Sequence, residues 1–595
     1  MSLYQMNVRA VIRAAALLLA LDGCTRPEMS TATLAARVDS LADAYFDTNL
    51  EFNPEIGTDF GLEGADHSRI RDNSLAGVRL AEARMDSLRV AAGVIDPSPL
   101  AGTPQEITYA VLNEALERER SVRICRAELW GVASYVNGWP AQYTDLAIIQ
   151  PVGTDTLRAQ ALARARELPR FIASEIANLR EGLRLGYSSP KVIVRNVITQ
   201  LDALTSGPPA RSPFHSPADR DSSAAFSADL TRLIAKDINP AIRRYRDFLQ
   251  NEYLPKAREA VGVSANPDGA ACYAATVRGF STVSLPADSV FTMGLAEMAR
   301  IEGEMRTIAA RSFGSESLPT LLTRLRTEPR YTFRTSQEII DTSLAVVRRG
   351  KAAMGQWFGR LPKADVIIQP YPEFRQKAGA PGQYQPAPDD GSRPAIFLIN
   401  PSAPTQQPRA DAENTAIHEA IPGHHLQVAI AKERTDLHRL SRYTFNSGFG
   451  EGWALYAERL GDEMGLYSGD LARMGMLGSE AFRAARMVID AGIHMKGWTR
   501  DQAVDYMRSH TLLPPGVLQG EIDRYISWPG QAPSYMIGRS EIVRLREYAR
   551  SALGAQFDIR AFHDQVLEYG SIPLALLRTR IERWVATSGG PAQTP

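Results

Sequence analysis

Four of the nine histidines lie in one short segment, and one of them precedes a glutamate in a pattern typical of metal sites. His418 and Glu419 open like the H-E-x-x-H motif, in which two histidines one helical turn apart bind zinc and the glutamate is a general base. Here Pro422 stands four residues after His418, and the next histidines are His424 and His425. The residue types therefore predict a metal site, although the spacing does not fit a regular helix.

The path of the chain between these histidines decides which of them could be the second ligand. On an undisturbed helix His425 would lie near the face of His418 but about 10.5 Å further along the axis, and His424 would point elsewhere. Pro422 and Gly423 are expected to kink or bulge the helix, because proline removes a backbone hydrogen bond. Either His424 or His425 could then come beside His418.

A third ligand is expected from a glutamate on a following helix. The segment 448–460 runs helically after a glycine-rich break and carries Glu451, with Glu458 one heptad later on nearly the same face. Two histidines and Glu451 would leave one position of a tetrahedral zinc open for water. Zinc would then lower the pKa of that water and polarise a scissile carbonyl, while Glu419 would move the proton to the leaving amine.

Several motifs in the second half of the chain resemble those of one bacterial family, called domain of unknown function 885. In order, they are HEAIPGHHLQ, EGWALYAERLG, DAGIHMKGWTRDQAVDYM, EIDRYISWPGQAPSYMIG and FDIRAFHDQVLEYGSIPL. The family itself resembles the gluzincin zinc peptidases, and is similar in shape to the thimet oligopeptidase, carboxypeptidase Taq and angiotensin-converting enzyme types. This resemblance implies a mainly α, zincin-like helical body with a deep substrate channel and the zinc helix at its floor.

The resemblance also implies roles for individual residues. His418 would be the first zinc ligand, Glu451 the third, and Glu419 the general base. The second ligand would be His424 if the Gly-His pair matches the H-E-x-G-H pattern of the relatives, and His425 if helix phase decides.

Further residues are candidates for binding the substrate or stabilising the transition state. Tyr525 and Tyr535 could donate a hydrogen bond to the oxyanion, as a tyrosine or histidine does in the relatives. His494 could do the same or orient a metal ligand, and each of these three residues could equally be a core residue. Arg524 could bind a substrate carboxylate. The β-like run 395–399 could pair with an extended peptide or support the sheet.

The rest of the sequence predicts the elements that position these residues. Helical periodicity dominates the chain, and two short β-like runs rich in branched residues, 365–368 and 395–399, precede the histidine motif. We therefore expect a mainly α protein with a small sheet next to the zinc helix. The expected regions are a signal segment at 1–24, helical regions at 25–205 and 219–360 separated by a proline-rich loop at 206–218, a catalytic region at 361–585 and a tail at 586–595.

The N-terminal segment predicts export. Arg9 and Arg13 precede the apolar run 14–21, which is too short to span a bilayer, and this layout is typical of a secretory signal peptide. The residues up to Cys24 resemble a bacterial lipobox, although Asp22 is unusual there. We expect a periplasmic or envelope protein whose membrane contact is limited to an N-terminal lipid anchor.

The composition narrows the functions further. The 67 basic residues balance 67 acidic residues, which argues against a general nucleic-acid binder. Three cysteines are too few for a disulfide framework, but Cys125 and Cys272 could pair.

Three functions are compatible with the sequence. The first is an exported zinc metallopeptidase acting on peptide substrates. The second is a non-catalytic envelope lipoprotein that uses the same scaffold for peptide binding or assembly, and the third is iron chemistry at a site with two histidines and a carboxylate. The presence of Glu419 favours the first over the second. Peptide length, the mode of cleavage and the oligomeric state stay open.

Overall fold

The computed structural model describes residues 30–134, 137–314, 317–371, 376, 381–387 and 393–588. The predicted signal segment 1–24 and most of the predicted tail 586–595 therefore lie outside the described residues. Helix accounts for 73% of the structure and strand for 3%, which confirms the expected mainly α class. Among the described helices, none combines the length and the apolar character that a membrane span requires.

Fourteen labelled helices precede the sheet, several of them joined by short 3₁₀ or π turns. Their bounds are α1 Thr31–Phe52, α2 Glu55–Asp59, α3 Leu75–Gly93, α4 Pro104–Val122, α5 Trp139–Ile149, α6 Asp155–Leu185, α7 Lys191–Ser206, α8 Ser216–Asp219, α9 Ala224–Leu233, α10 Asn239–Phe248, α11 Gly269–Ser281, α12 Ala287–Ser312, α13 Leu318–Thr327 and α14 Ser336–Trp357. Ser30, Ser74 and Thr154 begin α1, α3 and α6 by accepting a hydrogen bond from a backbone N–H of the first turn.

These helices contribute to two main hydrophobic cores. One core is formed mostly by α5 to α10, and the other runs from α1–α4 to the C-terminal helices. The predicted proline-rich loop 206–218 folds into short turns, and Val197 before it and Leu230 after it pack into the same core. The loop therefore does not separate two cores.

A disulfide bond links Cys125, after α4, to Cys272 in α11. The sequence had left this pairing open. The two cysteines are 147 residues apart, and in a chain-entropy treatment closing such a loop stabilises the fold by about 5 kcal/mol.

The described sheet has three strands in the order β1-β3-β2, with β1 Val366–Pro370, β2 Gly382–Gln385 and β3 Ala395–Ile399. β3 is fully buried and pairs with β1 in parallel and with β2 in antiparallel orientation. The idea that the run 395–399 pairs with a peptide is therefore wrong, because both of its edges are already paired. β2 forms an edge of the sheet and is a strand that the sequence pattern does not predict.

The helices after the sheet build the rest of the body. Their bounds are α15 Arg409–Glu419, α16 His424–Glu433, α17 Arg439–Tyr443, α18 Ser447–Glu463, α19 Asp470–Met495, α20 Arg500–His510, α21 Pro515–Ser527, α22 Ser534–Leu553, α23 Ile559–Leu567 and α24 Leu574–Ser588. α15 packs against α14, α18, α19 and β2. It therefore lies between the sheet and the buried helices, where its C-terminal histidine is held on several sides.

α18 and α22 approach each other at glycines. A Cβ built on Gly538 would lie 1.6 Å from the carbonyl oxygen of Gly448, and one built on Gly452 would lie 2.6 Å from the carbonyl carbon of Gly538. Only glycine fits such a backbone-to-backbone approach. The contact fixes the depth at which α18 presents Glu451.

Candidate metal centre

The histidine motif is divided between two helices, which are joined by a tight turn. α15 ends at Glu419 and α16 begins at His424, with a cis peptide bond before Pro422 in between. A Cβ on Gly423 would lie 1.9 Å from the carbonyl oxygen of His418, so this turn requires glycine. Pro422 and Gly423 were expected to kink the helix. The helix instead ends completely before them, and the chain folds back onto the end of α15.

The break brings His424 beside His418, and α18 adds Glu451. The Nε2 atoms of His418 and His424 lie 3.6 Å and 3.5 Å from Oε2 of Glu451, and the two imidazole rings are perpendicular. Ligand atoms at zinc-bond distances in a tetrahedral site are about 3.4 Å apart. Among the described residues this is the one group of three or more His, Cys, Asp or Glu side chains spaced to share a metal ion. The donor types and their spacing fit zinc.

His425 points away from this group. Its Nε2 donates to the carbonyl oxygen of Ala364 at 3.1 Å, and its Nδ1 lies 3.3 Å from the hydroxyl of Tyr384. Burial lowers the pKa of His425 to about 4. The helix-phase argument that favoured His425 fails, because the phase of α15 does not continue past the break. The geometry favours His424.

Glu458 holds His418 in place from behind. The Nδ1 atom of His418 lies 2.7 Å from Oε1 of Glu458, a carboxylate that is 1% exposed. A carboxylate that accepts the Nδ1 proton leaves the Nε2 lone pair directed at the metal position, and also fixes the ring. The sequence placed Glu458 on the face of Glu451 but gave it no role, and heptad spacing was its only signal.

The electrostatics of the group favour a bound cation. Burial acts to lower the pKa of His418, but hydrogen bonding to Glu451 and Glu458 raises it to about 9. Burial acts to raise the pKa of Glu451, yet the His418 and His424 imidazoles hold it well below its ordinary value. The buried carboxylates thus stabilise positive charge between the histidines.

Glu419 is held by the edge of the sheet. Its Oε2 atom accepts a hydrogen bond of 2.8 Å from the backbone N–H of Tyr384 in β2. Glu419 lines the same cavity as His418, His424 and Glu451. The predicted base and the predicted ligands therefore face one space.

This cavity is large, with a volume of about 2340 Å³. Its wall is formed by β2 and α15, by α19 and α21, and also by residues from the N-terminal half such as Phe60 and Ile149. Phe60, Phe445 and Val517 on this wall are each about half exposed, at 49%, 51% and 48%. The cavity thus offers apolar as well as polar surface.

The two tyrosine candidates lie in different places. Tyr535 lines the cavity, and its pKa is raised by burial and by the nearby charge of Glu451. Tyr525 is 1% exposed, and its hydroxyl donates to Glu521 at 2.6 Å and accepts from Nε of Arg486 at 2.9 Å. Tyr535 therefore lies on the wall of the cavity that also holds the His418, His424 and Glu451 group, whereas Tyr525 is buried outside this lining.

His494 does not reach the group. Its Nδ1 accepts from the backbone N–H of Val263 at 2.9 Å, and its Nε2 donates to the carbonyl oxygen of Tyr525 at 3.0 Å. The interpretation of His494 as an oxyanion donor or ligand-orienting residue is therefore wrong, because both ring nitrogens bind backbone groups. Burial lowers the pKa of His494 to about 3, so the ring stays neutral in the folded protein.

Comparisons with known proteins agree on the family and the fold. The family model described as "Bacterial protein of unknown function (DUF885)" matches residues 54–581, which is most of the chain, and the chain belongs to this family. No curated protein matches the chain.

Two solved structures are similar over nearly the whole chain. The crystal structure of a "putative lipoprotein" from Colwellia psychrerythraea is 26% identical, with a TM-score of 0.85 over 94% of this chain and 100% of that chain. A "putative lipoprotein of unknown function" from Shewanella oneidensis is 18% identical, with a TM-score of 0.73 over 93% of this chain and 99% of that one, and shows the fold alone.

Separate exchange of the two neighbouring histidines tests the metal group. We expect His424→Ala to weaken zinc binding by more than about 100-fold, because it removes a direct ligand, and His425→Ala to change it little. Zinc affinity is measured by competition with a chelator on metal-stripped protein, and circular dichroism confirms the fold. Equal losses in the two variants would contradict the assignment.

Replacement of Glu458 by Gln tests the support behind His418. The change removes the charge but keeps the shape, and we expect zinc affinity to fall by about 10–100-fold. Glu463→Gln, on the same helix but paired with Arg546, is the matched control and should keep the affinity of the parent protein. If both variants bind zinc like the parent, Glu458 does not act on the metal group.

The neutral state of His494 predicts acid sensitivity. Between the ordinary pKa of 6.5 and the folded value of about 3, the unfolded chain binds a proton that the folded protein does not. The stability from this residue is complete above the ordinary pKa and falls by up to about 1.4 kcal/mol per pH unit as the pH decreases. His494→Gln keeps a donor and an acceptor, so its melting temperature should fall less steeply on acidification in scanning calorimetry. Parallel pH profiles would refute this.

Proposed function

We propose that this member of the DUF885 family is an exported, zinc-dependent metallopeptidase that hydrolyses peptides. The observation that carries the proposal is that Glu419 and the group of His418, His424 and Glu451 lie on the wall of one cavity. Two histidines and a glutamate as metal ligands, with a second glutamate beside them, are the parts that peptide hydrolysis by zinc requires.

The ligand set leaves room for the substrate. Three protein ligands are typical of catalytic zinc sites, whereas structural sites use four. When bound, Zn²⁺ would polarise the scissile carbonyl and lower the pKa of a water molecule. Glu458 and Glu451 favour that cation electrostatically, and Glu458 also fixes the imidazole of His418.

Glu419 acts as the general base and then as the acid. The N–H of Tyr384 holds one carboxylate oxygen, which orients the other for proton transfer. Glu419 takes a proton from the attacking water and delivers it to the nitrogen of the leaving amine. Because both transfers use one carboxylate, the position of Glu419 relative to the substrate must stay constant through the reaction.

Tyr535 is the donor for the negative charge that develops on the substrate oxygen. It lines the cavity near Glu451, and burial raises its pKa, so the hydroxyl keeps its proton. A pre-positioned neutral donor of this kind stabilises the oxyanion more than the ground-state carbonyl.

The cavity and the sheet edge favour an extended peptide as substrate. Its volume of about 2340 Å³ exceeds the 300–1,000 Å³ that is typical of small-molecule sites. β2 is an edge strand on the cavity wall, and the outward N–H of Tyr384 on this edge is already bonded to Glu419. An extended peptide would lie along the rest of this edge, next to Glu419, and the half-exposed Phe60, Phe445 and Val517 provide apolar contacts for its side chains. The zincin-like body with a substrate channel is part of this proposal.

An envelope location accords with three observations. The N-terminal segment has the layout of a signal peptide, and both similar structures are described as "putative lipoproteins". The disulfide between Cys125 and Cys272 suits an oxidising compartment. We propose anchoring through a lipid on Cys24.

Replacement of Glu419 by Gln tests the peptidase. We expect zinc-loaded protein to cleave members of a mixed peptide library, and Glu419→Gln to lower the rate by about 10²–10⁴-fold while zinc stays bound, because only the base is lost. Cleavage is followed by mass spectrometry and zinc by elemental analysis. Glu63→Gln, at another glutamate of the cavity wall, is the control and should keep activity.

Two outcomes would contradict the proposal. Zinc-loaded protein that cleaves no peptide would favour a non-catalytic peptide-binding lipoprotein. Iron rather than zinc in the purified protein would favour the oxygen chemistry of a site with two histidines and a carboxylate.

A further inference from the structure

We infer that the cavity holds a carboxylate-binding subsite, formed by Arg483 and Arg486 beside the metal group. The inference rests on the proposed peptidase function and names the part of the substrate that the site recognises, a free carboxylate on the peptide. Such a carboxylate is either the C-terminus or an acidic side chain.

One face of α19 carries this subsite. Ser479, Phe482, Arg483 and Arg486 all line the cavity, and their spacing of three, four and seven residues places them in one stripe along the helix. Arg486 is only 5% exposed although it lines this wall. Two guanidinium groups thus lie one turn apart at the same buried surface.

The guanidinium of Arg486 is held in a fixed orientation. Its Cζ lies 4.0 Å from the ring centre of Phe482 and 4.6 Å from that of Tyr535. Its Nε donates to the hydroxyl of Tyr525 at 2.9 Å, and its Nη2 lies 3.0 Å from Glu521. A stacked, pre-oriented guanidinium loses little entropy when it binds a carboxylate.

Arg483 is positioned one turn away. Its Nη1 donates to the hydroxyl of Ser479 at 2.6 Å, and its Cζ lies 5.9 Å from the ring centre of Tyr535. Nε of Arg483 and Nη1 of Arg486 are buried and have no hydrogen-bond partner among the described residues. Because a buried donor without a partner is costly, an acceptor that reached these atoms would offset that cost.

The carboxylates around the two arginines are already engaged or partly neutral. Burial acts to raise the pKa of Glu521, but Arg486 and Arg524 together lower it to about 2, so one carboxylate serves two guanidiniums. Glu458 lies 4.0 Å from Arg483 and is bonded to His418. Asp411 also interacts with Arg483, but burial raises its pKa to about 7.

A different arginine cluster shows what purely structural pairing looks like in this protein. Around Glu480, which is also on α19, the arginines and the glutamates are equal in number and each arginine has an ion-pair partner. The arginines are Arg300, Arg459 and Arg539, and the glutamates are Glu297, Glu304 and Glu480. At the proposed subsite the pairing is looser, because Arg486 shares Glu521 with Arg524 and the ion pair of Arg483 with Glu458 is long, at 4.0 Å.

The subsite is close to the reacting bond. The ring of Tyr535 contacts both arginines, and the charge of Glu451 raises the pKa of its hydroxyl. Glu458 lies between Arg483 and His418. A carboxylate bound here would lie in the cavity that Glu419 also lines, so a single extended peptide could reach both.

Peptide binding to the inactive protein tests the inference without depending on catalysis. The probe is an N-terminally labelled decapeptide pool of neutral residues, with either a free C-terminus or a C-terminal amide. On zinc-loaded Glu419→Gln we expect amidation to raise the Kd, read by fluorescence anisotropy, by about 10–100-fold, because it removes a charge-assisted hydrogen-bond pair. The same comparison on metal-stripped protein should show the difference too, which excludes binding of the carboxylate to the metal.

A third pool identifies the source of the carboxylate. It is amidated and contains one glutamate near its C-terminal end. Recovery of tight binding assigns the subsite to an acidic side chain, and weak binding like that of the neutral amide assigns it to the C-terminus. Equal Kd values for all three pools would overturn the inference.

Variants then locate the subsite. In the Glu419→Gln background, Arg483→Met should reduce the preference for the free acid to less than about threefold, because it removes one of the two guanidiniums. Arg442→Met removes one charge from another arginine of the cavity wall and should keep the preference. Loss of the preference in both variants, or in neither, would overturn the assignment to Arg483.

The two proposals fail in different ways. Wild-type protein that cleaves acid and amide pools with equal kcat/KM keeps the peptidase function and overturns the subsite. Protein that prefers the acid pool in binding but cleaves neither pool keeps the subsite and overturns the peptidase function.

Discussion

The close approach of Gly423 to the carbonyl oxygen of His418 is the constraint on which the candidate site depends. It ends one helix, reverses the chain and starts the next, so that two histidines six residues apart face the same point. A continuous helix would have separated them along its axis. The second constraint is the glycine contact between α18 and α22, which fixes the depth of Glu451. Glycines at the turn and at the helix contact therefore position the side chains of His418, His424 and Glu451.

Charge is arranged in layers around these side chains. The innermost layer, Glu451 and Glu458, favours a cation between the histidines. The next layer on the α19 side is cationic, with Arg483 and Arg486 stacked on aromatic rings. Buried charges of one sign are costly unless a partner of the other sign is close. A metal ion would be such a partner for the inner layer, and the proposed substrate carboxylate would add to Glu521 and Glu458 as partners of the outer layer.

The sequence was informative about residue type and less so about direction. His418, Glu419 and Glu451 could be predicted because their types and order along the chain indicate the chemistry. The choice between His424 and His425 stayed open, because the match of the Gly-His pair favoured His424 while helix phase, which has no meaning across a break, favoured His425. β2 was missed because the segment 382–385 contains no β-branched residue and pairs through its buried neighbour β3. The sequence does not show whether the ring nitrogens of a histidine such as His494 bind a ligand or two backbone groups. Only the fold distinguishes these cases.

The disulfide has a topological consequence. Nearly every residue of the core built by α5 to α10 lies between Cys125 and Cys272, so this quarter of the chain is a covalently closed ring attached to the rest of the body. One backbone cut inside the ring releases no fragment, because both ends remain tied at the bridge. The ring also carries Ile149 on the cavity wall. A protein exposed to external proteases can therefore be cut once within this ring and still keep every wall of its cavity on a single covalent molecule.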